Sequence, residues 1–147
     1  MSVLRHRAVD RRTRSLDRVD DRYLAFAGIS EQARLLEEQT VSSRELVAIY
    51  LDRIEIVDPR LNSFKEVSAE HALAEAAEAD RRLSAGDKAP LLGVPVAIKD
   101  ELDVTGSVTR HGTVAYERPA EFDAEHVRRL RGAGAFVMGK SNLPELA

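Results

Sequence analysis

The sequence predicts an incomplete α/β fold, with N-terminal helices followed by the first strands and the crossover helix of a sheet. Three observations carry this. Apolar residues recur at helical spacing between residues 42 and 57, and an alanine-rich run of the same character follows at 68–86. Residues 92–99 alternate with period two, as a strand does. A helix-like segment then leads into the short apolar run AFVMG, and the order strand, helix, strand is that of a parallel pair joined by a crossover.

Along the chain, residues 1–24 read as a basic, disordered extension. The stretch MSVLRHRAVDRRTRSLDRVDDR carries seven arginines against four aspartates and few large apolar groups, so it has little surface to offset the entropy of ordering. It also lacks the apolar middle of a secretory signal. Residues 25–147 read as the folded part. In GISEQARLLEEQ, Ser30 is the expected N-cap of a short helix with Ala33, Leu35 and Leu36 inside. Ser42 and Glu45 form the pattern of a capping box for the next helix. Leu46, Ile49, Tyr50, Ile54 and Val57 give that helix one apolar face, and Pro59 is expected to end it at Asp58. Ser68 and Gly86 bracket the alanine-rich helix, whose small side chains suit close packing.

Leu92, Val94, Val96 and Ile98 then define a strand. Pro95 cannot donate to a ladder, which argues for an edge, a bulge or the strand's beginning. In FDAEHVRRLRGAG, Asp123 is the expected N-cap, Val127 and Leu130 the inner face and Gly132 the end. In a parallel pair both strands finish at one edge, so Lys99 and the GKSN group are expected to face the same crevice. Two strands alone cannot be covered on both faces, and a lone parallel pair is rarely stable. The 147 residues are therefore expected to be a piece of a longer protein.

Composition removes several functions. A net charge of -3 argues against a nucleic-acid binder, and the absence of cysteine excludes disulfides, thiolate nucleophiles and Cys-ligated zinc. The four histidines show no ligand spacing, no apolar run is long enough to span a bilayer, and no metal or cofactor is expected. A cytoplasmic setting is expected.

Two lysines carry candidate chemistry. Gly134, Gly139, Lys140 and Ser141 satisfy G-x-x-x-x-G-K-[ST], the pattern of a phosphate-cradling loop. Such a loop must turn its N–H groups inward, yet the intervening Ala135, Phe136, Val137 and Met138 look like a strand, and a helix rather than a strand precedes them. A nucleotide site at Gly139, Lys140 and Ser141 is thus the alternative reading. Lys99, at the end of an apolar strand, is the other candidate. With its stem among Ala97 and core groups, shelter from solvent disfavours the ammonium and makes a neutral amine available as a base. The plain alternative is an exposed lysine paired with Asp100, Glu101 or Asp103.

The run LLGVPVAIKDELDVTGSVTRHGT resembles the lysine segment of the amidase signature family, and FDAEHVRRLRGAGAFVMGKSNLPELA is similar to its next segment. VSSRELVAIYLDRIEIVDPRLNSF is similar to its early helix. The resemblance runs from about Ile29 to the last residue. It implies a mixed α/β fold and hydrolysis of a small-molecule amide by a Ser–cisSer–Lys triad, with Lys99 matching the base. It places both catalytic serines in a Gly/Ser-rich segment beyond Ala147; Ser107 and Ser141 stand in other motifs and cannot replace them. The chain by itself is then expected to be inactive and to self-associate. Glu101, where many members have Asn, and VTRHGT, where a Thr-Thr pattern is common, leave the subfamily open. Further readings within the family are a non-catalytic remnant and a transfer-RNA amidotransferase subunit.

Overall fold

In the computed structural model, which describes residues 20–145, the elements run α1 (Asp21–Phe26), α2 (Ile29–Glu37), α3 (Ser43–Leu61), β1 (Phe64–Val67), α4 (Ala69–Ser84), β2 (Pro95–Lys99), α5 (Glu125–Gly132) and β3 (Phe136–Ser141). The strands form one mixed sheet in the order β1-β3-β2. Strand β3 pairs parallel with β2 and antiparallel with β1, so the expected parallel pair joined through α5 is present. The third strand, β1, is an addition to the sequence reading, and it makes the sheet mixed.

The cover of the sheet also differs from expectation. Helices lie on both faces. Val47 of α3 and Ala72 and Ala76 of α4 pack on Phe136 and Met138, while Val127 of α5 packs with Ile98 and Val137 on the other side. The cover is partial, because Ala97 and Lys99 remain exposed. No helix among the described residues is long and apolar enough to cross a membrane.

Residues 1–19 of the expected extension lie outside the described residues. Its inner boundary falls within α1, where the Asp20 side chain accepts the Arg22 N–H and Leu24 is only 1% exposed in a core with Leu36 and Leu46. Helix α2 is capped by Gly28, not Ser30. The Gly28 carbonyl accepts the N–H groups of Glu31 and Gln32, which puts Ser30 in the first turn. Leu35 and Leu36 are buried as expected.

Helix α3 has the full capping box, with Ser42 accepting Glu45 N–H and Glu45 accepting Ser42 N–H. It runs through Pro59 to Leu61 rather than stopping at Asp58. The proline removes only its own donor. Two groups hold the last turn: Asn62 closes it in the left-handed region (φ 51°), and the Asp58 carboxylate accepts the N–H groups of Ser63 (2.7 Å) and Phe64 (3.2 Å) as well as the Ser63 hydroxyl. These bonds outweigh the bias of a residue before proline against helical angles.

The alanine face of α4 is buried at Ala72, Ala76 and Ala79, which lets it approach α3 and β3 closely. Ser68 occupies its N-cap position but turns its hydroxyl to Glu66. The next connection is anchored at Ser43, fully buried at the start of α3. Its hydroxyl donates to the Gly93 carbonyl at 2.6 Å, and Asp80 of α4 accepts the N–H groups of Ser43 and Arg44. Gly93 has φ +84°, and a Cβ there would press on Ser43 at 3.2 Å.

Pro95 opens β2, which is an edge strand, and a register shift follows it between Val96 and Ala97. Two of the three places allowed to the proline, the edge and the strand's beginning, coincide; the bulge lies in β3 instead. In α5 the N-cap is Ala124, because Asp123 is engaged elsewhere: it accepts the Thr105 N–H at 2.8 Å and pairs with Arg131 at 3.0 Å.

Candidate active site at the sheet edge

Because β2 and β3 are parallel, they end together. Lys99 lies opposite Ser141, and the Asp100 N–H donates to the Ser141 carbonyl at 3.0 Å. The register shift decides which side chains share a face. Val96 is opposite Val137 and Ala97 opposite Gly139, so Met138 is the extra residue of a bulge in β3. Ile98 and its partner Lys140 then fall on the α5 side. Ala97 borders a groove under α3, and strand alternation places Lys99 on that side too. The groove, of about 310 Å³, runs between the C-terminal half of α3 and β2 and is lined by apolar groups including Ile54, Leu61, Phe64 and Ala97.

The Lys99 side chain is 44% exposed, and its Nζ lies 3.2 Å from Glu101 Oε2. The expected shelter among Ala97 and core groups is not found, because Ala97 is itself exposed and no described residue covers this end of the face. The geometry is that of the plain alternative, a strand-end lysine paired with Glu101.

Lys140 has the opposite surroundings. It is 2% exposed, its Nζ is 2.8 Å from Oδ1 of Asp100 and it donates to Thr109 Oγ1 at 2.8 Å. Asp100 is 1% exposed; its Oδ2 accepts the Arg110 N–H at 3.2 Å, while Oδ1 meets the ammonium without an aligned hydrogen bond. This overturns the phosphate-loop alternative. Residues 136–141 are a strand paired on both edges, and the Lys140 ammonium is spent on a buried carboxylate. Gly139 serves the strand: a Cβ there would sit 2.3 Å from the Glu66 carbonyl oxygen of β1.

Asp100 is the site residue that the sequence reading passes over, treating it only as one possible partner for Lys99. The signal is strand alternation: a residue next to Lys99 points to the opposite, covered face, and a carboxylate buried there needs a cation.

A family model described as Amidase matches residues 45–147. The putative amidase AmiB2 of Mycobacterium tuberculosis is 48% identical over 128 residues, covering 87% of this chain and 28% of that relative. One subunit of the glutamyl-tRNA(Gln) amidotransferase of Azoarcus sp. is 42% identical over 122 residues, covering 82% of this chain and 25% of that one. Among solved structures, the native peptide amidase from Stenotrophomonas maltophilia matches with a TM-score of 0.79 at 36% identity, over 87% of this chain and 27% of that chain. The chain spans about a quarter of the length of these relatives.

Proposed function

The chain belongs to the amidase family, and on that premise we propose that it is the N-terminal part of an amide-hydrolysing enzyme in which Lys99 is the terminal proton acceptor of a Ser–cisSer–Lys triad. The two serines would come from sequence outside these 147 residues. The bridging serine gives its proton to the Lys99 amine and takes one from the nucleophilic serine. That oxygen attacks the amide carbon, the C–N bond breaks and the amine leaves with a proton. Water then releases the acid from the acyl-enzyme by the same relay run again. In this reading the chain alone does not turn over an amide. A small-molecule amide as substrate, a cytoplasmic setting, and self-association through exposed groups such as Phe26, Ile56 and Leu61 belong to it as well.

The observation that supports it is the position of Lys99. The amine stands at the end of β2 beside the end of β3, on the face bordered by an apolar groove, and its partner is a half-exposed carboxylate. Exposed pairs contribute ~0–1 kcal/mol, so Lys99 can leave Glu101 for a serine hydroxyl at little cost. In this reading the segment carrying the serines must also cover Lys99 and so favour its neutral amine.

The test is ammonia release from benzamide and from an amidated dipeptide by the complete polypeptide that carries this segment. Lys99→Ala is expected to lower turnover by ~10²–10⁴-fold, the usual contribution of a general base, with the fold intact by circular dichroism. Unchanged turnover in that variant, or hydrolysis by the 147-residue chain itself, sinks the proposal.

A further inference from the structure

Asp100 connects the buried ion pair to the sheet edge. Its N–H donates to the Ser141 carbonyl at 3.0 Å and its carbonyl accepts the His111 N–H at 3.0 Å. Its carboxylate accepts the Arg110 N–H at 3.2 Å and lies 2.8 Å from the Lys140 ammonium. That ammonium also holds Thr109, which is 8% exposed, through its hydroxyl at 2.8 Å. The loop from Asp100 to His111 is therefore closed at its two ends around one buried cation. His111 adopts φ 52°, a conformation that a non-glycine residue keeps only where its surroundings impose it.

We propose that Lys140 is a positioning residue for amide hydrolysis. From the α5 side of the sheet it fixes Asp100 and Thr109, and so fixes the peptide from which Lys99, on the other side, presents its amine. This rests on the reading of Lys99 as the proton acceptor. Stability alone gives little reason to keep such a pair, since well-packed apolar groups of similar volume commonly replace a buried ion pair without loss. What the pair supplies is one defined course for the residues next to Lys99. A displacement of the order of 1 Å at a reacting group can cost ~10²-fold in rate.

The experiment uses the complete polypeptide. Lys140→Met alone strands a buried carboxylate and risks unfolding, so the decisive variant is the double substitution Asp100→Asn with Lys140→Met, which removes both charges. Expected are a Tm close to that of the parent, a kcat for ammonia release from benzamide and an amidated dipeptide lower by ~10²-fold, and a KM within about threefold, the pattern of lost alignment. Amide hydrogen exchange at residues 100–111 should accelerate at least ~10-fold as the loop opens. A kcat within about threefold of the parent overturns the proposal, and so does a rate loss that only tracks the unfolded fraction. Lys99→Ala in parallel separates the two ideas. If that variant keeps full turnover, the assignment of Lys99 fails. If it is inactive while the double variant is unimpaired, only the role of Lys140 fails.

Discussion

Gly139→Ala tests why a glycine stands before Lys140. The ideal Cβ would lie 2.3 Å from the Glu66 carbonyl oxygen and 3.2 Å from Val67 Cα, both backbone atoms of β1. A close C···O contact is about 3.3 Å, so β1 would have to retreat by about 1 Å. That would stretch its hydrogen bonds to β3 from ~2.9 Å to ~3.9 Å, beyond bonding range. Overpacking costs ~1–3 kcal/mol and each weakened bond ~1 kcal/mol, which together give a destabilisation of ~2–4 kcal/mol. Urea denaturation followed by circular dichroism should show the midpoint fall with an unchanged slope. Gly132→Ala is the control. It sits at the end of α5 with open space where its Cβ would go, and alanine there should be neutral or stabilising by up to ~1 kcal/mol. A Gly139→Ala protein within ~1 kcal/mol of the parent would refute the close-approach argument.

Two further perturbations probe the supports of the sheet edge. Ser43→Ala leaves the buried Gly93 carbonyl without the hydroxyl that donates to it at 2.6 Å, and should cost ~1–3 kcal/mol in the same denaturation assay. Asp58 has its pKa lowered from the ordinary 3.8, chiefly by the Ser63 hydroxyl, with the Ser63 and Phe64 N–H groups adding to it. The stability it contributes is present above that ordinary value and lost as pH falls through the lower, folded one. Exchange at the Ser63 amide should therefore accelerate in that acid window, and Asp58→Ala should show the faster exchange already at neutral pH.

Features governed by neighbours along the chain are legible in the sequence alone. The capping box of α3, the alanine face of α4 and the demotion of Pro95 to the start of an edge strand all follow from local chemistry. Features settled by distant partners are not. Strand β1 is four residues with Lys65 and Glu66 at its centre, too short and too polar for a periodic signal. It becomes a strand because β3 offers it an edge. Asp123 has the chemistry of an N-cap, but Thr105 and Arg131 claim its carboxylate. Pro59 marks a helix end only until Asp58 and Asn62 are seen to hold one more turn. At the site, the common edge of Lys99 and the GKSN group is legible from the parallel order, whereas the exposure of Lys99 is not, because burial depends on what covers the sheet.

The two lysines at this edge show how one bulge divides labour. Without the extra residue at Met138, strand alternation would put Lys140 on the other face, away from the buried Asp100 and Thr109. With it, Lys140 is buried and paired, and breaking a buried pair leaves an uncompensated charge at a cost of ~3–5 kcal/mol. Lys99 holds Glu101 through a half-exposed contact that solvent screens, so its amine can change partner for a small fraction of that cost. Of the two lysines that the chain brings to one sheet edge, Lys99 is therefore the one free to change partner, and Lys140 is the one that holds its neighbours in place.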